Sequence, residues 1–146
     1  MPANHFFPVG AILVTYIATD AAGNTSSASQ RVTVTDKRPP RLSEIIADRI
    51  ALSPPNHKLI DVYLAYDAAD NCATTTCQVS VESNEPVNGT GDGDTAPDWE
   101  VIDSHHVRLR AERSGKGKGR VYSVKVSCAD RSNNMTSKTV SVFVSH

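Results

Sequence analysis

Aromatic residues are scarce in this chain, at 5% with a single tryptophan. A core here must therefore be built from Val, Ile, Leu and Ala. Charge of either sign is not in excess, since 15 Lys and Arg stand against 16 Asp and Glu. That balance excludes the basic footprint of a nucleic-acid binder and the acidic tail of a solvated linker. No apolar run approaches the ~18 residues of a membrane span. The start, MPANHFFPVG, lacks the basic and apolar stretches of a signal peptide, so an exported protein would carry its address elsewhere. Apolar residues at helical spacing are missing over any useful length. Also missing are a Gly-x-Ser-x-Gly elbow, a zinc-binding helix and a dinucleotide fingerprint, and the chain reads as a non-enzyme.

Cysteine is sparse too: Cys72, Cys77 and Cys128 are the whole set. Three thiols leave one over if a disulfide forms, and two partners compete for each sulfur. No histidine pattern accompanies them in the spacing zinc requires.

What is present is strand alternation. Ala11–Ala18 and Gln30–Thr35 read as strands around a turn at Asp20–Asn24, where Gly23 and Asn24 suit left-handed backbone. Asp36-Lys-Arg-Pro-Pro40 breaks the pattern, because paired prolines cannot continue a ladder. Beyond it come an edge strand over 42–47, a clear strand over Lys58–Tyr66, and a polar loop over Asp67–Thr76. Cys77–Ser83 follows with Cys77, Val79 and Val81 on one face. Val107, Leu109 and Ala111 alternate with Arg108, Arg110 and Glu112. Arg113–Arg120 reads as a solvated basic hairpin tip, and the closing strands carry Tyr122, Val124, Val126, Cys128, Val140, Val142 and Val144.

One stretch occurs twice. VTYIATDAAGN from Val14 matches VKVSCADRSNN from Val124, and each is followed by an alternating valine strand. The first copy has almost nothing before it. We therefore expect residues 1–36 to be the closing strands of a truncated module, 37–41 a proline-rich linker, and 42–146 a complete β-sandwich.

These residues carry a family likeness. FPVGAILVTYIATDAAGNTSSASQRVTV resembles the end of a hyalin-repeat (HYR-like) module, and the chain from about residue 40 resembles a bacterial immunoglobulin-like module. The second likeness rests on Pro54-Pro-Asn-His-Lys58, Asp70-Asn-Cys72, Ser83–Gly89, Gly91–Trp99 and Arg108–Arg113. It implies an all-β, immunoglobulin-like sandwich preceded by a partial second one, in an extracellular or cell-surface protein. Modules of this kind resemble stalks, spacers and adhesion elements, and the likeness says little about activity.

Candidate sites follow from residue chemistry. Glu85, Asn88, Asp92, Asp94 and Asp98 cluster in one glycine-rich loop, an oxygen-rich set of the sort calcium prefers, although not in EF-hand spacing. Asp67, Asp70, Asn71 and Asp130 lie on two loops that meet at one end of such a sandwich and form a second candidate metal site. Local turn bonding is the plain alternative for both sets. Trp99, with Tyr63 and Tyr122, is the candidate glycan platform of a carbohydrate-binding alternative. Asp103-Ser104-His105 has the letters of a catalytic triad without segments that converge. Expected partners are neighbouring immunoglobulin-like modules, copies of the chain itself assembling into filaments by strand complementation, or polysaccharide.

Overall fold

The computed structural model describes residues 6–87 and 96–145. Among them there are strands, turns and no helix. The backbone divides into two compact units, Met1–Arg38 and Pro39–His146.

The first unit is one long antiparallel hairpin, β1 (Gly10–Thr19) and β2 (Thr25–Val34), paired from Gly10↔Val34 to Thr19↔Thr25. Its turn is fixed by Asp20. The carboxylate accepts hydrogen bonds from Ala22 N, Asn24 N and Asn24 Nδ2, and Gly23 takes the positive φ of 87° that a side chain would resist. Ile12, Val14, Val32 and Val34 are half-buried, while Leu13 and Ile17 stand in solvent.

The second unit is a sandwich of two four-stranded sheets. One sheet orders β4 (Ile46–Ala47), β6 (Leu59–Ala65), β10 (His106–Arg110) and β9 (Trp99–Asp103). The other orders β5 (Ala51–Leu52), β12 (Met135–Val144), β11 (Arg120–Ala129) and β8 (Thr76–Ser83). A short pair, β3 (Arg41–Leu42) with β7 (Ala68–Ala69), flanks them. The first strands change sheets: β4 pairs antiparallel with β6, whereas β5 runs parallel to β12. Four strands opposite a sheet made from the third and the last two long strands is the immunoglobulin-like arrangement, as expected.

The core lies between the sheets. Val62, Leu64, Val107 and Leu109 on one side meet Val124, Val126, Cys128, Val142 and Val144 on the other, each set following the period of two. Cys77 and Cys128 are joined by a disulfide, directly opposite one another on β8 and β11. The bridge therefore ties two neighbours within one sheet. Cys72 is outside it.

One expectation is corrected: Arg120, read as part of the solvated tip, is fully buried and opens β11. Arg110 and Glu112 are buried as well, Glu112 completely. Alternation stops being a guide at Arg110, because the strand ends there and Glu112 N bonds back to Arg110 O. Lys116 and Lys118 are exposed, as the tip reading requires.

Candidate functional site

Charged chemistry gathers most densely at the end of the sandwich where β8, β10 and β11 meet their loops. Arg120 sits at its centre with no exposed surface. Its Nη1 donates to Asp98 Oδ2 at 3.1 Å and lies 3.5 Å from Glu112 Oε1, while Nε lies 3.3 Å from Glu85 Oε2. Nη1 also donates to the Tyr122 hydroxyl at 3.1 Å, and Nη2 to Pro86 O at 3.3 Å. Asp98 and Glu112 are themselves fully enclosed. Three carboxylates thus converge on one guanidinium.

The surrounding backbone explains the convergence. Asn84, just past β8, accepts from Val121 N through Oδ1 and donates through Nδ2 to Gly119 O, which sets the start of β11 against the end of β8. Gly119 supports that approach with a φ of 108°. Glu85 Oε2 accepts from Ser114 N at 2.9 Å, tying in the basic hairpin. A Cβ on Gly117 would come 2.8 Å from Glu85 Oε1, so the tip must pass close to this carboxylate. His57 Nδ1 lies 3.2 Å from Glu112 Oε2. The Arg110 guanidinium supplies no counter-charge to the acids, for it donates to Pro97 O and His57 O.

Tyr122 closes the cluster. Its hydroxyl donates to Arg110 O at 2.9 Å, linking the start of β11 back to the end of β10. Burial pushes its pKa up to about 12, against the opposing pull of Arg120. Burial alone would lower the Arg120 pKa, but the Tyr122 hydroxyl and the charges of Asp98 and Glu85 hold it above the ordinary arginine value. The geometry is that of a tie. It joins four loop ends through a cation that no substrate can reach.

The predicted loop set divides accordingly. Glu85 and Asp98 turn toward Arg120; Asn88, Asp92 and Asp94 lie outside the described residues. At the opposite end, Asp130 accepts from Ser132 N, Asn134 N and Asn134 Nδ2, the same bonds that Asp20 makes in the first unit. The Asp130 pKa is lowered, with burial opposing and the Asn134 hydrogen bonds prevailing. Asp20 is lowered chiefly by Asn24. Asp70 Oδ1 accepts from Cys72 N and Ala73 N, while Asp67 and Asn71 are exposed on that loop. The carboxylates of Asp70 and Asp130 are thus each engaged in their own turn.

The aromatic candidates part company. Trp99 stands opposite buried Leu109 and meets Tyr122 edge-on, so both rings belong to the interior. Tyr63 is exposed and stacks on His106 at 4.4 Å. His106 Nε2 lies 2.8 Å from Asp61 Oδ1, which also accepts from Arg108 Nε, and Arg108 above all holds the Asp61 pKa down. His105 instead stacks on Tyr66, and its N–H donates to Asp103 Oδ1 within the turn. The triad letters form a turn. Sequence reasoning missed the Arg120 cluster, although Arg120-x-Tyr122 at the mouth of a strand was a usable signal: a charge in phase with the inward face.

The second unit is thus an all-β sandwich whose densest charged cluster is buried. The family model for the HYR domain matches residues 1–34, the hairpin unit. The HYR domain is a non-catalytic module found in extracellular and cell-surface proteins. No curated protein and no solved structure matches the chain. No helix among the described residues is long and apolar enough to cross a membrane.

Proposed function

We propose that this chain is a non-enzymatic structural or adhesion segment of a secreted or cell-surface protein. The HYR match over residues 1–34 carries the reading. The Cys77–Cys128 disulfide supports it, since such bonds persist in oxidising compartments. The hairpin unit adds a mode of assembly. A two-stranded sheet is marginal alone, and β1–β2 repeats β11–β12, which are covered by further strands. We read the hairpin as one completed by further strands, supplied either by its own protein or by another copy through strand addition.

Calcium is the cation proposed for the loop between Glu85 and Asp98. Because Glu85 and Asp98 already serve Arg120, the ligands would come from Asn88, Asp92, Asp94 and backbone carbonyls. Melting with excess calcium and again with chelator tests this, as an ion bound only by the folded state raises Tm by mass action. An unchanged Tm removes calcium from the reading. For the location, protease shaving of intact cells should release peptides of this segment from the parent protein. Recovery in the cytosol with Cys77 and Cys128 reduced would end the proposal.

A further inference from the structure

The outer face of the β4-β6-β10-β9 sheet carries side chains that neither the core nor the Arg120 tie uses. Two cross-strand rows lie side by side on it. In one, Tyr63 on β6 stands opposite His106 on β10. In the other, Arg108 on β10 stands between Asp61 on β6 and Glu100 on β9. Asp61 and Tyr63 are two residues apart on one strand, so both rows point the same way, about 7 Å from each other. β6 and β10 are the inner strands of their sheet, so the exposure of this face does not depend on an open edge.

The aromatic pair forms two layers. The Tyr63 and His106 rings stack with centroids 4.4 Å apart and planes 19° from parallel. The His106 side chain is 15% exposed, whereas Tyr63 is 54% exposed. Tyr63 is therefore the outer layer, a ring backed on one face and presented to solvent on the other. His106 is anchored in turn, with Nε2 2.8 Å from Asp61 Oδ1, and Tyr63 N donates to Asp48 Oδ1. Asp61 Oδ1 also accepts from Arg108 Nε at 2.9 Å, while Arg108 Nη1 reaches Glu100 Oε2 only at 3.5 Å. These bonds spend Oδ1 and Nε. Asp61 Oδ2 and the Arg108 Nη groups, on side chains 47% and 44% exposed, are left to meet a ligand as acceptor and donors.

Such a surface complements a sugar. An aromatic face takes the C–H face of a pyranose ring, and an acceptor beside a donor takes two neighbouring hydroxyls. The charges tell against other occupants. One cation stands between two anions, with Asp48 a further acid beside Tyr63, so a sulfated, phosphorylated or uronic chain is repelled. The opposite sheet offers no such pairing, for its outer row of Ser80, Lys125 and Thr139 holds no ring. We propose that Tyr63, Asp61 and Arg108 form a binding site for a neutral polysaccharide. Tyr63 stacks on one pyranose ring, and Asp61 and Arg108 hold its hydroxyls. The proposal rests on the adhesion reading above and gives it a partner class.

Affinity electrophoresis of the full chain tests it, in native gels cast with laminarin, hydroxyethylcellulose, galactomannan or xylan, and with heparin as the anionic control. At least one neutral polysaccharide should retard the chain, and heparin should not. Y63A should weaken that retardation about tenfold or more. R108A should weaken it too, whereas Y63F, which keeps the ring, should retain it. K125A, on the opposite sheet, should match the parent. Retardation that survives Y63A overturns the proposal, and if Y63A does not fold, survival in R108A overturns it instead. Passage through every neutral gel without retardation, or retardation by heparin alone, overturns it outright. The surface-location test is independent of all these outcomes, so a failure here leaves the structural-module reading standing.

Discussion

Replacing Arg120 with methionine, close to it in volume, isolates the energetic role of the buried cluster. The substitution strands Asp98 and Glu112, both without exposed surface. Glu112 keeps His57 on Oε2, and Glu85 keeps Ser114 N. Asp98 fares worst, because Oδ2 loses Arg120 and Oδ1 has no hydrogen bond even in the parent protein. Removing one partner of a buried ion pair costs about 3–5 kcal/mol, against a total stability of about 5–15 kcal/mol for a domain. The sandwich should therefore melt about 12–40 °C lower at pH 7, at the ~4–8 °C per kcal/mol of a domain this size. Calorimetry on the oxidised chain measures the shift. Two controls tie the loss to charge. Acid that protonates the stranded carboxylates should narrow the gap between R120M and the parent, and D98N added to R120M should recover about 1–3 kcal/mol. A loss below about 1 kcal/mol at pH 7, or an equal loss at pH 4, would refute the assignment of Arg120 as the tie.

Three further outcomes are expected. Replacing Cys77 and Cys128 by serine opens a loop of sequence separation 51, and the chain-entropy estimate for such a loop is about 4 kcal/mol. Urea unfolding should show most of that loss, whereas Cys72→Ser should change little. Tyr122→Phe removes the hydroxyl between Arg110 O and Arg120 and should cost about 1–3 kcal/mol. In the parent, phenolate absorbance should report one tyrosine titrating near pH 12, with stability falling as pH rises above ~10, where the unfolded phenol ionises first. Asp130→Ala should lower the Tm at pH 7. Since the folded carboxylate titrates below its unfolded value, its contribution exists above pH ~4 and fades as pH falls through the folded pKa. The D130A deficit should accordingly shrink in acid, and a deficit independent of pH would count against the turn bonds.

Most of the sandwich was legible because its long strands obey a strict period of two. Tyr122, Val124, Val126 and Cys128 face inward as their spacing demands, and the Asp20 and Asp130 turns repeat bond for bond. β9 was not legible, since Trp99-Glu-Val-Ile-Asp103 sets apolar residues on both faces and leaves Val101 and Ile102 in solvent. The charged cluster was misread for a physical reason. Alternation predicts which way a side chain points only while the strand lasts, and charge was taken to mean exposure. Both guides fail at strand ends, where Arg110, Glu112 and Arg120 turn under the sandwich and compensate one another. Of the acids expected in the Asp-Gly loop, Glu85 and Asp98 are spent on a protein cation.

A bond between adjacent strands of one sheet has a mechanical meaning. If the chain bears tension between its ends, as a spacer on a surface would, force can peel away the strands before Cys77 and after Cys128. The length enclosed by the bridge cannot be drawn out. At ~3.4 Å per residue, the separation of 51 corresponds to about 170 Å of slack that stays locked until the sulfurs are reduced. The redox state around the molecule would then decide how far it stretches.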